Sequence, residues 1–161
     1  MALQCSKGRT ADLGLIAWEV LVAEQVPAMA GYFTPMLHVA EIERSIPFYE
    51  ILGFRIIDTD RGNPLGWARL HCKGGAVMFL RAEHEVKGSR APVLFYMYTP
   101  DLHAFRERLL AHGVEVPPIT HPGYMPSGEI NFADPDGYHI GVAHWGESEH
   151  AAWLRRIEGE R

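Results

Sequence analysis

The order of apolar and polar positions along the chain predicts a unit that occurs twice. A short apolar strand, "MLHV", leads through Glu41 into an amphipathic helix that is followed by Gly53. The same order recurs from "LFYMY" through Asp101 to Gly113, at one constant offset. Repetition at a fixed offset indicates repeated structure, and glycine is the usual residue just after a helix. We therefore expect two strand–helix units of the same design.

Each predicted helix is followed by sequence that is typical of β-strands. The first unit continues with "FRIID", "GWARLH" and "AVMFL", and the second with "VEVPPI", "GEINFA" and "YHIGVA". Glycine-rich or Asp-Pro-Asp-Gly turns at 73–75 and 134–137 join the last two strands of each unit as hairpins. Both units therefore predict βαβββ, and the fold class is α+β.

We assign the two units to a single domain over residues 31–146, with module one at 33–85 and module two at 92–145. The chain has 161 residues, of which 47% are hydrophobic, enough for one compact unit. The apolar spacing of "ADLGLIAWEVLVAEQV" predicts an N-terminal helical extension at 1–30, although a frayed or wrongly assigned chain start fits equally well. A C-terminal helix is predicted at 147–161.

Composition narrows the class of partner. Two cysteines, Cys5 and Cys72, are too few for a disulfide framework and are not spaced for zinc, which fits a reducing cytoplasm. The net charge is −5 and lysine and arginine do not cluster, so no nucleic-acid partner is expected. No window is apolar enough for a membrane span, so no membrane partner is expected either.

The helix end "FYEILGF" and the hairpin "DPDGYHI" resemble the vicinal oxygen chelate superfamily of glyoxalases, bleomycin resistance proteins and dioxygenases. The resemblance covers residues 33 to about 145 and is closest in character to the metal-free, bleomycin-resistance-like members. It implies two βαβββ modules whose curved mixed sheets enclose a cavity, usually in a homodimer. In the enzymes of the superfamily the cavity holds a divalent metal, and one scaffold carries many activities.

The resemblance also implies four metal-ligand positions, which can be located in this chain. They are occupied here by Thr34, Phe79, Leu94 and Gly141. Divalent metals need oxygen, nitrogen or sulfur donors, and this set offers one neutral hydroxyl. We therefore expect no metal and no cofactor. A displaced site built from His38, His139 and Glu129 remains an alternative.

Strand alternation predicts which side chains line the cavity, because alternate residues face opposite sides of a sheet. In "GWARLHC" and "GEINFA" the apolar positions suit the helix side and leave the polar and larger residues for the cavity. The predicted ligand-binding residues are His38, Trp67, Arg69, Phe79, Arg81, Tyr96, Tyr98, Glu129, Asn131 and His139. Aromatic rings with a few polar groups suit a small-molecule site. The loop "THPGYMPSGE" is either a lid carrying Tyr124 or an ordinary loop.

Three functions follow from these residues. The first is a metal-free protein that sequesters a drug-like or metabolite ligand, with no catalytic residue. The second is an enzyme of the same scaffold, such as a glyoxalase-like lyase or isomerase, a dioxygenase or an antibiotic-modifying transferase. It would use a displaced metal or a His or Glu general base. The third is an interaction module whose terminal helices present Trp18 and Trp153 to a partner.

Overall fold

The structure of the protein is a computed structural model that describes residues 33–159, so the predicted N-terminal helix at 1–30 lies outside it. Module one contains, in chain order, β1 (Met36–Val39), α1 (Ile42–Ile51), β2 (Arg55–Thr59), β3 (Trp67–Cys72) and β4 (Gly75–Arg81). Its four strands form one sheet in the order β1-β4-β3-β2. β1 is parallel to β4, and the other pairs are antiparallel. This is the predicted βαβββ arrangement.

Module two contains β5 (Leu94–Thr99), α2 (Leu102–Ala111), β6 (Glu129–Ala133) and β7 (His139–His144). Its sheet has the order β5-β7-β6, with β5 parallel to β7. The strand predicted at "VEVPPI" is wrong, because no strand forms there. Pro117 and Pro118 have no N–H to donate, and pairing resumes only at an isolated bridge between Thr120 and Glu129. Two mixed sheets with helices confirm the α+β class; over residues 33–159 they do not close into a barrel.

The repeat predicted from sequence sets where α1 and α2 begin and end, although Glu41 makes no side-chain capping bond to α1. Asp101 caps α2, since its side chain accepts a hydrogen bond of 2.9 Å from the backbone N–H of Ala104. Gly53 and Gly113 follow the two helices with φ of 99° and 76°. That left-handed conformation is strained for residues with a Cβ atom, which explains why glycine stands at both positions.

Both modules contribute to one hydrophobic core between the helices and the sheets. The buried cluster includes Leu37 and Phe79 from the first sheet and Ile130 and Val142 from the second. The rings of Phe48 in α1 and Phe132 in β6 lie 6.3 Å apart. The helices therefore cover one face of each sheet, and we call the opposite face the open face.

The β6–β7 turn binds α1 at two places, and we call these contacts, made by Asp136 near the start of the helix and by Asp134 near its end, the inter-module clamp. Asp136 accepts hydrogen bonds from the Ala40 backbone N–H at 3.2 Å and from the Arg44 guanidinium at 2.6 Å. Asp134 accepts one from the Tyr49 hydroxyl at 3.3 Å. Burial raises the pKa of the Asp134 carboxyl above its usual value. The clamp joins the two modules through carboxylates that are almost fully buried, although the Arg44 guanidinium is half-exposed.

The predicted C-terminal helix is present as α3 (Glu147–Gly159). The Glu149 carboxylate accepts hydrogen bonds from Ser127, Ser148 and the backbone N–H of Gly146, and these lower its pKa to about 2. This single side chain thus links the start of α3 to the loop before β6. Among the helices in the described part of the chain, none has both the length and the apolar character for a membrane span.

Candidate ligand-binding site

Cross-strand pairing assigns the residues of the first sheet to its two faces. Ala68 pairs with Phe79 and both are fully buried against the helices. Trp67 pairs with Leu80, and Arg69 with Met78, so these four side chains belong to the open face. Trp67 and Arg69 therefore lie on the open face, and their contact with a ligand stays a prediction.

The predicted placement of Phe79 on the open face is wrong. Phe79 is 0% exposed, and its ring packs edge-on against Tyr49 of α1 with the centroids 4.9 Å apart. The cause is the tight β3–β4 turn, which sets the register so that Val77 and Phe79 lie opposite Leu70 and Ala68. A register change of one residue moves every side chain to the other face, and sequence alternation in one strand does not set that register.

The prediction that Arg81 belongs to the open face is also wrong. Arg81 pairs with Val39, whose side chain faces the core, and its guanidinium donates to the Leu65 carbonyl at 2.6 Å. It also forms an ion pair of 2.5 Å with Glu43 of α1. The hydrogen bond from the Leu65 backbone N–H and this guanidinium lower the pKa of the Glu43 carboxyl. Arg81 therefore fastens the β2–β3 connection to α1.

His38 lies on the open face at the end of β1, beside the point where the two modules meet. Its carbonyl accepts a 2.9 Å hydrogen bond from the Tyr138 hydroxyl. His38, Leu80, Tyr138 and residues 81–87 line a cleft of about 440 Å³. The size falls within the range of small-molecule pockets, but the cleft is separate from the residues of the second sheet described next.

The open face of the second sheet brings together most of its predicted site residues. Tyr96 and Asn131 flank Gly141 from either side, and Tyr98 and Glu129 flank Ala143 in the same way. His139 pairs with Leu94 at the exposed end of the face. Five residues predicted from sequence therefore occupy this one face: Tyr96, Tyr98, Glu129, Asn131 and His139.

Glu129 is the polar centre of this face, and it is only 4% exposed. Its two carboxylate oxygens accept hydrogen bonds from the Tyr96 hydroxyl at 2.5 Å and the Tyr124 hydroxyl at 2.6 Å. The Asn131 amide donates a longer bond of 3.3 Å. The hydroxyls of Tyr124 and Tyr96 lower the pKa of Glu129, so the carboxyl is ionised at neutral pH. Burial and the neighbouring carboxylate raise the pKa of Tyr96.

Aromatic rings extend from this carboxylate along the face. The Tyr98 ring lies 5.4 Å from that of Tyr96 and 5.2 Å from that of Trp145, with interplanar angles of 70° and 58°. We call Tyr96, Tyr98, Tyr124 and Trp145, gathered around Glu129, the tyrosine cluster. Sequence reasoning missed Trp145, which directly follows β7, and left Tyr124 undecided between a lid and a loop. No local sequence pattern indicates the hydrogen bond that the Tyr124 hydroxyl donates to Glu129.

A family model describes this fold. The model of the Glyoxalase/Bleomycin resistance protein/Dioxygenase superfamily matches residues 31–142. The chain belongs to this superfamily. The match confirms the resemblance found in the sequence. No curated protein matches the chain significantly.

Several solved structures have the same fold at low sequence identity. A bleomycin resistance determinant encoded on the transposon Tn5 is 20% identical, with a TM-score of 0.60 over 73% of this chain and 99% of that one. A bleomycin-binding protein complexed with bleomycin is 18% identical, with a TM-score of 0.59 over 72% and 99%. TnmS3, an antibiotic binding protein from Streptomyces sp. CB03234, is 24% identical, with a TM-score of 0.59 over 73% and 97%.

The four superfamily metal positions do not fit a metal in this chain. Phe79 is buried under α1, and Leu94 is an exposed apolar side chain. At Gly141 a Cβ atom would lie 2.8 Å from the Tyr96 ring and 3.0 Å from the Asn131 oxygen, so other side chains fill that space. Within residues 33–159 no three His, Cys, Asp or Glu side chains lie close enough to share an ion. Neither these positions nor the alternative set of histidines and Glu129 forms such a group.

Gly141→Ala is expected to lower the free energy of unfolding by about 1–2 kcal/mol, because the added methyl overlaps the Tyr96 ring. Gly141→Glu, which introduces the superfamily ligand, is expected to cost more and to separate Tyr96 from Glu129. Urea unfolding of both variants checks this. Gly74→Ala is the matched control, because no atom lies within 4 Å of its added Cβ. Equal stability of Gly141→Ala and Gly74→Ala would contradict the close packing at Gly141.

Proposed function

We propose that the protein binds a small organic molecule on the open face of its second sheet and releases it chemically unchanged. The observation that carries the proposal is the tyrosine cluster, which exposes aromatic surface beside a buried carboxylate. Tyr98 is 56% exposed and Tyr124 is 74% exposed, although both rings belong to an ordered aromatic and hydrogen-bonded group. Grouped aromatic side chains on a surface are typical of a binding site rather than of a solvated face.

The similar structures support the same conclusion. Three of them are a bleomycin resistance determinant, a bleomycin-binding protein and an antibiotic binding protein. Binding by such a protein needs apolar contact area and a few polar groups that fix the orientation of the ligand. The tyrosine cluster supplies the area, and Glu129 and Asn131 supply polar groups.

The chemistry of Glu129 favours binding over catalysis. A general base is most effective when its pKa lies near the working pH. Two phenol hydroxyls lower the pKa of Glu129, which makes the carboxylate a weaker base than an ordinary glutamate. The residues at the superfamily metal positions offer no donor set for Lewis-acid chemistry. A His or Glu general base remains the form that an enzymatic alternative would take.

We further propose that two copies of the chain associate so that open faces enclose the ligand. Met36 on the first sheet is 46% exposed and Leu94 on the second is 53% exposed, and both lie on open faces. Covering apolar side chains of this kind favours association. Sedimentation of the full chain with and without ligand tests the homodimer, and a monomer under both conditions would exclude it.

Tyr98→Ala is expected to weaken ligand binding about tenfold or more without lowering stability, because its ring is a large exposed contact surface. Calorimetric titration of the full chain with bleomycin and with a panel of aromatic compounds measures the affinity, and mass spectrometry checks that the ligand is recovered intact. Leu110→Ala, an exposed apolar residue on α2, is the control. Unchanged binding in Tyr98→Ala would exclude this face, and conversion of the ligand would favour an enzyme.

A further inference from the structure

Glu129 carries a buried negative charge for which the described residues provide no cation. Its hydrogen-bond donors are two phenol hydroxyls and one amide, all of them neutral. No lysine, arginine or histidine between residues 33 and 156 forms an ion pair with it. An ionised carboxylate removed from water is costly unless a positive charge or several strong donors compensate. The neutral donors stabilise the Glu129 carboxylate but leave its negative charge in place, and that charge attracts a cation that approaches the site.

Aromatic faces stand next to this carboxylate. The rings of Tyr96 and Tyr98 meet at 70°, and those of Tyr98 and Trp145 at 58°, so their planes enclose an angle instead of stacking flat. The faces of tyrosine and tryptophan rings carry negative potential and attract ammonium and guanidinium groups. The exposure of Tyr98 and Tyr124 leaves these faces open to a ligand.

We propose that the tyrosine cluster binds an organic cation, in which an ammonium or guanidinium group is attached to an apolar body. The charge lies against the tyrosine faces near Glu129, and the apolar body covers Tyr98 and Trp145. This inference rests on the proposed function and names the ligand class of the same site. Tyr124, the more exposed of the two phenol donors, is the group that a cation displaces from the carboxylate.

Other candidates for the positive charge fit less well. An inorganic divalent ion prefers several oxygen or nitrogen ligands, and no group of three acidic, histidine or cysteine side chains surrounds Glu129 in the part of the chain that the structure describes. Arg81 forms its ion pair with Glu43 and Arg44 forms its ion pair with Asp136, so neither pairs with Glu129. The net charge of −5 also favours the approach of a cation.

The test compares two probes of the same shape that differ in charge, 4-(trimethylammonio)phenol and 4-tert-butylphenol. Titration calorimetry of the full chain is expected to show the cation binding about tenfold more tightly than the neutral probe. Glu129→Gln, which keeps the shape and removes the charge, is expected to abolish that preference by lowering the affinity for the cation much more than the affinity for the neutral probe. Glu115→Gln, an exposed glutamate in the loop after α2, should retain the preference.

A second variant tests the same inference if Glu129→Gln fails to fold. Tyr98→Leu keeps an apolar side chain at an exposed position but removes the ring face, and it should lower the affinity for the cation more than for the neutral probe. Equal affinity of the two probes for the unmodified protein would overturn the cation inference and leave the proposed function standing. Absence of binding by both probes, by bleomycin and by the aromatic panel would overturn both.

Discussion

Phe79→Ala is expected to lower the free energy of unfolding by about 3–5 kcal/mol, the range for truncating a fully buried aromatic residue. Phe79 is 0% exposed and is the largest fully buried side chain in the part of the chain that the structure describes. Its ring packs edge-on against Tyr49. Its removal leaves a cavity between the first sheet and α1, where both modules contribute to the same core. The effect should appear as a lower urea midpoint with a nearly unchanged slope.

Two further variants separate this role from the superfamily metal position that Phe79 occupies. Leu110→Ala removes an apolar side chain that is 40% exposed on α2, and its cost should be far smaller. Phe79→Glu introduces a metal-ligand side chain, but the carboxylate would point into the core and the variant should unfold more readily than Phe79→Ala. Metal-dependent stabilisation of Phe79→Glu would show that this position reaches the open face after all.

Asp136→Ala is expected to lower the free energy of unfolding by about 2–3 kcal/mol, because it removes a buried carboxylate that accepts several hydrogen bonds of the inter-module clamp. The Asp136 side chain is 2% exposed and forms a 2.6 Å ion pair with Arg44. It also accepts from the backbone N–H of Ala40 at 3.2 Å and lies 3.4 Å from the Ser45 hydroxyl, which is itself buried. Losing this acceptor leaves the start of α1 without its partner from module two.

A double-mutant cycle with Arg44→Ala and Asp136→Ala, followed by urea unfolding, isolates the coupling between the two side chains. Asp136→Asn keeps an acceptor for the Ala40 N–H and should lose less stability than Asp136→Ala. Glu107→Ala is the control, because its side chain is 74% exposed and its ion pair with Arg106 is long at 3.7 Å. A cost of Asp136→Ala no larger than that of Glu107→Ala would show that the clamp does not stabilise the fold.

Local sequence was sufficient for the helices and for most strands. Both helices begin at the apolar residue after the acidic turn, Ile42 and Leu102, and each is followed by a glycine in the left-handed conformation. These signals act within a few residues, so the repeat made them visible without any tertiary information. The strand predicted at "VEVPPI" was wrong because hydrophobic composition outweighed the two prolines, which cannot donate to a ladder.

Alternation of apolar and polar residues within one strand identified the open face in β3 and β6 but not in β4. Alternation in β3 and β6 correctly assigned Trp67, Arg69, Glu129 and Asn131. In β4 the same reasoning failed for Phe79, because its face depends on how the hairpin aligns it with Ala68. The apolar character of "AVMFL" fits either face and left the choice to the partner strand.

The sequence by itself determined the repeated strand–helix units, the hairpin turns, the superfamily resemblance and the non-ligand residues at the metal positions. Each of these depends on residue type or on spacing within a short segment. Only the tertiary structure decided that Tyr124 and Tyr96 share Glu129, that Trp145 extends the tyrosine cluster, and that Asp136 joins the modules. These contacts link loops, strand ends and separate modules, and their geometry is set by packing that no local pattern encodes.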